Sequence, residues 1–187
     1  MRQEFWELIR TFDLNSLVFV DESGVNIAMT RLYARAPKGK RAHGSRPDKR
    51  GKNVTIIGAI ATRGIVGAMS FKGGNDKNAF ETYINQVLVP NLWKGACVVM
   101  DNFSSHKVVG IKEAIESVGA HLIYLSPYSP DFSPIENFWS KVKEFLRSQE
   151  TRTYSDLDKA ITDALKTINL SDILGWFKHC GYCTASN

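Results

Sequence analysis

Long apolar runs are missing from this chain. No stretch approaches the ~20 consecutive apolar residues that a membrane-spanning helix needs. The opening MRQEFWELIR has no basic region followed by an apolar core of roughly 7–15 residues, which argues against a secretory signal. Cysteine is scarce as well: three in 187 residues cannot staple a fold with disulfides. Cys180 and Cys183 have a C-x-x-C spacing, but structural zinc takes four ligands, usually from two such pairs. Only Cys97, inside an apolar run, and four histidines remain. Metal is therefore not expected at that pair. Internal repeats and low-complexity tracts are absent too. The expectation is one soluble cytoplasmic domain over residues 1–187, large enough to bury roughly 70 % of the surface of its unfolded chain.

Charge is present, and it is unevenly placed. Against a net charge of +5, residues 37–52 (PKGKRAHGSRPDKRGK) hold seven Lys or Arg and one Asp, leaving −1 for the other 171 residues. Lys38, Lys40, Arg41, Arg46, Lys49, Arg50 and Lys52 concentrated in this way point to a polyanion partner, with phosphate contacts supplying affinity but no sequence reading. The plainer alternative is a solvated Gly/Pro loop whose lysines keep it soluble.

Apolar periodicity divides the rest. Phe5, Leu8, Ile9 and Phe12 predict a short opening helix, and Leu17–Val20 a compact strand. VNIAM and the following basic stretch read as strand fragments and a long loop. VTIIGAIA (54–61) and IVGAMSF (65–71), separated by Thr62-Arg63-Gly64, predict a hairpin. Phe80, Tyr83, Ile84, Val87 and Leu88 trace a helix ended near Pro90, and ACVVM (96–100) is a further buried strand. Val108, Ile111, Ile115 and Val118 mark another helix stopped by Gly119, before the strand HLIYL (121–125). From Pro134 the stripe Ile135, Phe138, Trp139, Val142, Phe145, Leu146 predicts a helix. Leu157, Ile161, Leu165 and Ile168 predict one more, with Ser155 as N-cap. A hairpin followed by alternating helices and strands implies an α/β fold with a mixed five-stranded sheet.

Ligands of such sheets gather at the downstream ends of the parallel strands. Asp21 follows LVFV and Asp101 follows CVVM, so two carboxylates stand at two such ends. Glu22 competes with Asp21, but neighbouring strand residues face opposite sides. Each aspartate could instead serve its own turn. Glu136 sits three residues after Ser133, with Pro134 at the first helical position, a capping-box pattern that explains a glutamate without any site. Its helical face, however, also carries Ser140, Lys143 and Arg147, opposite the aromatic stripe. Three acids from separate elements suit a pair of divalent cations acting on phosphodiesters, with Lys141, Lys143 and Arg147 beside them as candidate DNA contacts. Asn102 and His106 are candidates for supporting this site, or else ordinary turn residues.

The segments VFVDESG, RAPKGKR, VTIIGAI, VVMDNFSSHK, LSPYSPDFSPIENFWSKVK and FKHCGY, in that order, resemble the catalytic domain of DDE transposases of the mariner superfamily, in its bacterial insertion-sequence branch. The resemblance covers residues 13–183. It implies an RNase H-like fold, a mixed sheet flanked by helices, and catalysis by Asp21, Asp101 and Glu136 holding two Mg²⁺, with Mn²⁺ able to substitute. It further implies cleavage of double-stranded DNA at transposon ends and attack of the freed 3′-hydroxyl on target DNA, typically at TA, by a homodimer on DNA near the bacterial nucleoid. Cys180 becomes part of a terminal family motif. Such transposases carry an upstream helix-turn-helix region, and only about a dozen residues precede the first strand here. The expectation is thus a catalytic half, either a truncated copy or a second reading frame whose partner is the upstream helix-turn-helix product. The alternatives are a stand-alone RNase H-like nuclease or resolvase, and an inactive DNA-binding remnant.

Overall fold

A computed structural model describes residues 2–74, 77–101, 109–127 and 129–182. Asn102, His106 and Cys183 lie outside the described residues. Helix α1 (Arg2–Ile9) leads through a short 3-10 turn, capped by the Asp13 side chain, into β1 (Leu17–Val25). Strands β2 (Val54–Ala61) and β3 (Gly64–Lys72) form the expected hairpin. Helix α2 (Lys77–Tyr83) runs on through a wider π turn, Ile84–Leu88, and a 3-10 turn, Val89–Asn91, that contains Pro90. After them come β4 (Cys97–Met100), α3 (Val109–Ser117), β5 (His121–Tyr124), α4 (Pro134–Gln149), α5 (Tyr154–Lys166) and α6 (Leu170–His179).

The five strands lie in the order β3-β2-β1-β4-β5. β1 pairs antiparallel with β2 and parallel with β4, and β4 pairs parallel with β5, which gives the mixed sheet expected from the pattern. Side chains alternate along each strand, so the sheet builds two apolar layers. On one face Leu17, Phe19, Val25, Ile56, Ile60, Cys97 and Val99 pack under α1, α4, α5 and α6. On the other, Val18, Val20, Ile57, Ala59, Val98 and Met100 pack under α2 and α3.

Four expectations need correction. VNIAM forms no strand beyond Val25; Asn26 turns the chain, its side chain accepting the Ala28 N–H at 3.0 Å. The N-cap of α5 is Thr153, not Ser155, because the Thr153 hydroxyl accepts the Asp156 N–H. Ser133 makes no side-chain cap bond, so the capping box before α4 does not form. The last helix, α6, had no counterpart in the periodicity reading. Asn169 and Asp172 close a full capping box at its start. Gly119, by contrast, ends α3 as expected, at φ +75°, where a side chain would be strained.

Candidate functional site

β1 and β4 run side by side with Val20 opposite Met100. The next residue on each strand is an aspartate, so Asp21 and Asp101 leave neighbouring parallel strands at the same level, about 5 Å apart along the sheet. Alternation also decides between Asp21 and Glu22. Asp21 follows Phe19 onto the face under α4, while Glu22 belongs with Val18 and Val20 on the opposite face. Asp101 likewise continues the series Cys97, Val99 toward α4.

Helix α4 begins above these strand ends. Pro134 occupies its first turn, Ile135, Phe138, Trp139, Val142 and Leu146 point into the core, and Glu136 stays exposed. With no capping role to hold it, Glu136 looks into a cleft of about 530 Å³ that Asp21, Asp101, Ser126 and Ser133 also line. The three acids expected from separate elements therefore share one cleft. Among the described residues they stand apart, with no three Asp, Glu, His or Cys side chains close enough to ligate one ion.

Burial pushes the Asp21 carboxyl up to about 7, against a backbone hydrogen bond at Glu22 that lowers it. The charges of Glu22, Glu136 and Asp101 add to the upward push. Such a site gains from positive charge. Its donors are all oxygens, which suits hard cations such as Mg²⁺ or Mn²⁺ rather than thiolate- or imidazole-seeking metals. Ser126, 8 % exposed in the same wall, has a hydroxyl with no hydrogen-bond partner among the described residues. A buried hydroxyl left in that state costs about 1–3 kcal/mol, so it is a ready contact for a polar group entering the cleft.

One member of the site was not foreseen. The indole N–H of Trp139 donates to Asp21 Oδ2 at 3.0 Å. Trp139 belonged to the apolar stripe of α4, and it is indeed 2 % exposed, but its single polar atom reaches the acid. The signal available in sequence was the glycine of VTIIGAIA: Gly58 sits opposite Asp21 in the β1–β2 ladder, under the indole.

The basic residues separate into four groups. Lys141 is held by Asp172 of α6 in a partly buried ion pair, so it does not share the outward face of Lys143 and Arg147. Lys38, Lys40, Arg41 and Lys49 lie on the exposed connection between β1 and β2. Arg46 and Arg50, from that same connection, meet Lys143 and Arg147 of α4 around a notch of about 260 Å³ with no acidic residue in its described wall. Lys143 and Arg147 follow Glu136 by two and three helical turns on one face, about 10 and 16 Å down the helix axis. Lys52 has its backbone N–H donating to the Tyr154 hydroxyl at 2.6 Å, and its side chain is exposed. Cys97 and Cys180 are buried free thiols, and Asn137 lies beside the Cys180 sulfur.

Residues 16–158 match the sequence profile of the DDE superfamily endonucleases. No curated protein matches the sequence closely. Among solved structures, the Mos1 mariner paired-end complex with Mn superposes with a TM-score of 0.75 at 16 % identity, over 97 % of this chain and 58 % of that one. The Mos1 strand transfer complex gives a TM-score of 0.72 at 14 % identity, over 96 % of this chain and 55 % of that one. The isolated catalytic domain of Mos1 mariner transposase gives a TM-score of 0.66 at 14 % identity, over 96 % and 82 %. The fold is therefore that of the Mos1 catalytic domain, the RNase H-like arrangement that the motifs implied. The chain spans a little over half the length of the transposase chains in the DNA complexes.

Proposed function

The chain belongs to the DDE superfamily endonuclease family, and we propose that it is the catalytic domain of a cut-and-paste transposase. The observation that carries the reading is the register of β1 and β4, which delivers Asp21 and Asp101 side by side beneath the helix that bears Glu136. These three carboxylates would hold the metal. Divalent cations held there would activate an attacking water or 3′-hydroxyl and neutralise the oxygen that departs. The protein's own part would be to present carboxylate oxygens from the two strand ends, with Glu136 supplying a third from the cleft rim. Complexes of Mos1 with Mn and with Mg fit this choice of cation.

The substrate is double-stranded DNA, namely element ends for cleavage and a target, TA in the family pattern, for joining. The backbone would pass from the acids along α4, across Lys143 and Arg147, to Arg46 and Arg50 in the notch, with Lys38, Lys40, Arg41 and Lys49 alongside. Asn102 and His106, next to Asp101 in sequence, would orient the site. Element-end recognition by an upstream helix-turn-helix partner, and pairing of two copies on DNA, belong to the same proposal. The test is an assay with a pre-cut 3′-hydroxyl DNA end, target plasmid and Mg²⁺. Joined product supports a transposase, and hydrolysis without joining identifies a nuclease or resolvase. DNA binding with neither reaction identifies an inactive remnant.

A further inference from the structure

Gly58, Trp139 and Asp21 come from three elements and meet at one point. Asp21 and Gly58 are direct partners across the β1–β2 ladder. β2 is buried along its whole length and, apart from Gly58, carries side chains at every position. Its one glycine has an ordinary backbone, so no turn requires it. The reason lies above it. A Cβ at position 58 would stand 3.0 Å from Trp139 Cη2, 3.4 Å from Cζ2 and 3.5 Å from Phe138 Cε1. Contacts that tight require the ring to give by a few tenths of an ångström. The absent side chain is what lets the indole lie on the sheet with its N–H at Asp21 Oδ2, while Phe138 braces it edge-on at 4.6 Å and 61°.

We infer that Trp139 is a positioning residue for the metal-binding acid Asp21, seated by the missing side chain at Gly58. The inference rests on the reading of Asp21 as a metal ligand and adds a residue to it. The choice of donor has a physical logic. A lysine or arginine at this place would orient the carboxylate but also cancel its charge, and so compete with a cation. An indole N–H is neutral, does not titrate and has a single direction. It engages one oxygen, limits how the carboxylate can turn, and leaves the other oxygen for the ion without adding a competing positive charge. Because Trp139 lies three residues beyond Glu136, one turn of α4 both supplies the third acid and aims the first.

The experiment is calorimetric titration of the DNA-free protein with MnCl₂, on wild type, Trp139→Phe, Gly58→Ala, the double variant and Asp101→Asn, each with a thermal melt. Trp139→Phe keeps the ring and removes the donor. Losing a group that orients a ligand typically weakens metal binding about 10- to 100-fold, and a fall in that range is expected. Gly58→Ala, which asks the ring to give by a few tenths of an ångström, should produce a smaller fall in the same direction, and adding it to Trp139→Phe should change affinity by less than about twofold, since both act through one contact. A folded Trp139→Phe that binds Mn²⁺ within twofold of wild type overturns the inference. Should Trp139→Phe fail to fold, Gly58→Ala decides alone: Mn²⁺ affinity no lower than wild type overturns the inference. Wild type that binds no Mn²⁺, or binds it no better than Asp101→Asn, removes the metal reading itself and this inference with it. That result differs from a wild type that binds and a Trp139 variant that binds equally well.

Discussion

The two faces of the sheet are made from the same strands and do different work. Under α2 and α3, Val18, Val20, Ile57, Ala59, Val98 and Met100 meet Phe80, Tyr83, Ile84, Leu88 and Ile115 in an apolar layer, with the Tyr83 hydroxyl donating to the Gly67 carbonyl at 3.1 Å. Under α4 the same alternation buries Phe19, Ile56, Ile60 and Val99, yet at the strand ends it admits two aspartates, an indole N–H and a serine hydroxyl with no partner among the described residues. The first face is an apolar layer that helps hold the strands in register. The other stays incomplete at one corner. The register set by the first face is what aligns Asp21 with Asp101 on the second.

Substitutions on either side should separate these roles. The largest effect is expected from Asp101→Asn, which should reduce Mg²⁺-dependent cleavage to background with the melting temperature within a few degrees of wild type; retained cleavage would remove Asp101 from the site. Next is Leu88→Ala on the first face, which should cost about 2–5 kcal/mol in denaturant titrations while leaving Mn²⁺ affinity unchanged. A large loss of metal binding there would erase the distinction between faces. Asp21 gives a pH signature. Its carboxyl is raised from 3.8 to about 7, so the folded state keeps a proton that the unfolded chain has lost. Its contribution to stability is full below about pH 4 and is lost as pH rises through about 7. Metal-free wild type should therefore lose more stability between pH 5 and pH 8 than Asp21→Asn does, and parallel melting curves would count against the buried carboxylate. The smallest effect concerns the notch. Lys143→Ala and Arg147→Ala should each lower the salt slope of DNA binding by about 1, uniformly across sequences. An unchanged slope would place the DNA elsewhere.

Much of this was readable from residue order. An apolar run ending in aspartate shows both a buried strand and its downstream end, so Asp21 and Asp101 declared themselves together. The hairpin announced itself through β-branched runs around Thr62-Arg63-Gly64, and α4 through its 3–4 stripe. What escaped depended on contacts distant in sequence or on ambiguous local chemistry. Periodicity assigns a whole side chain to one side, and Trp139 was correctly placed in the core while its one polar atom reached an acid 118 positions away. Gly58 marked that approach, but a lone glycine in a strand does not say what comes near it. Hydroxyls at both 153 and 155 fit a helix start, and only the backbone decided for Thr153. The cap of α6 uses Asn169 with Asp172, right after an apolar stripe that runs to Ile168 and so blurs the boundary between the two helices. Lys141 looked like its neighbours until α6 placed Asp172 against it.

The start of α5 holds both ends of the β1–β2 connection. Arg152 donates to the carbonyls of Ile27 and Met29, and the Tyr154 hydroxyl accepts the Lys52 N–H at 2.6 Å and donates to its carbonyl. A segment clasped at its two feet can grow, shrink or change composition while the strands beneath keep their alignment. The entropy of closing such a loop rises only slowly, by about 0.6 kcal/mol per doubling of length. Changes of length or sequence in this arch should thus leave the acids on the floor below undisturbed.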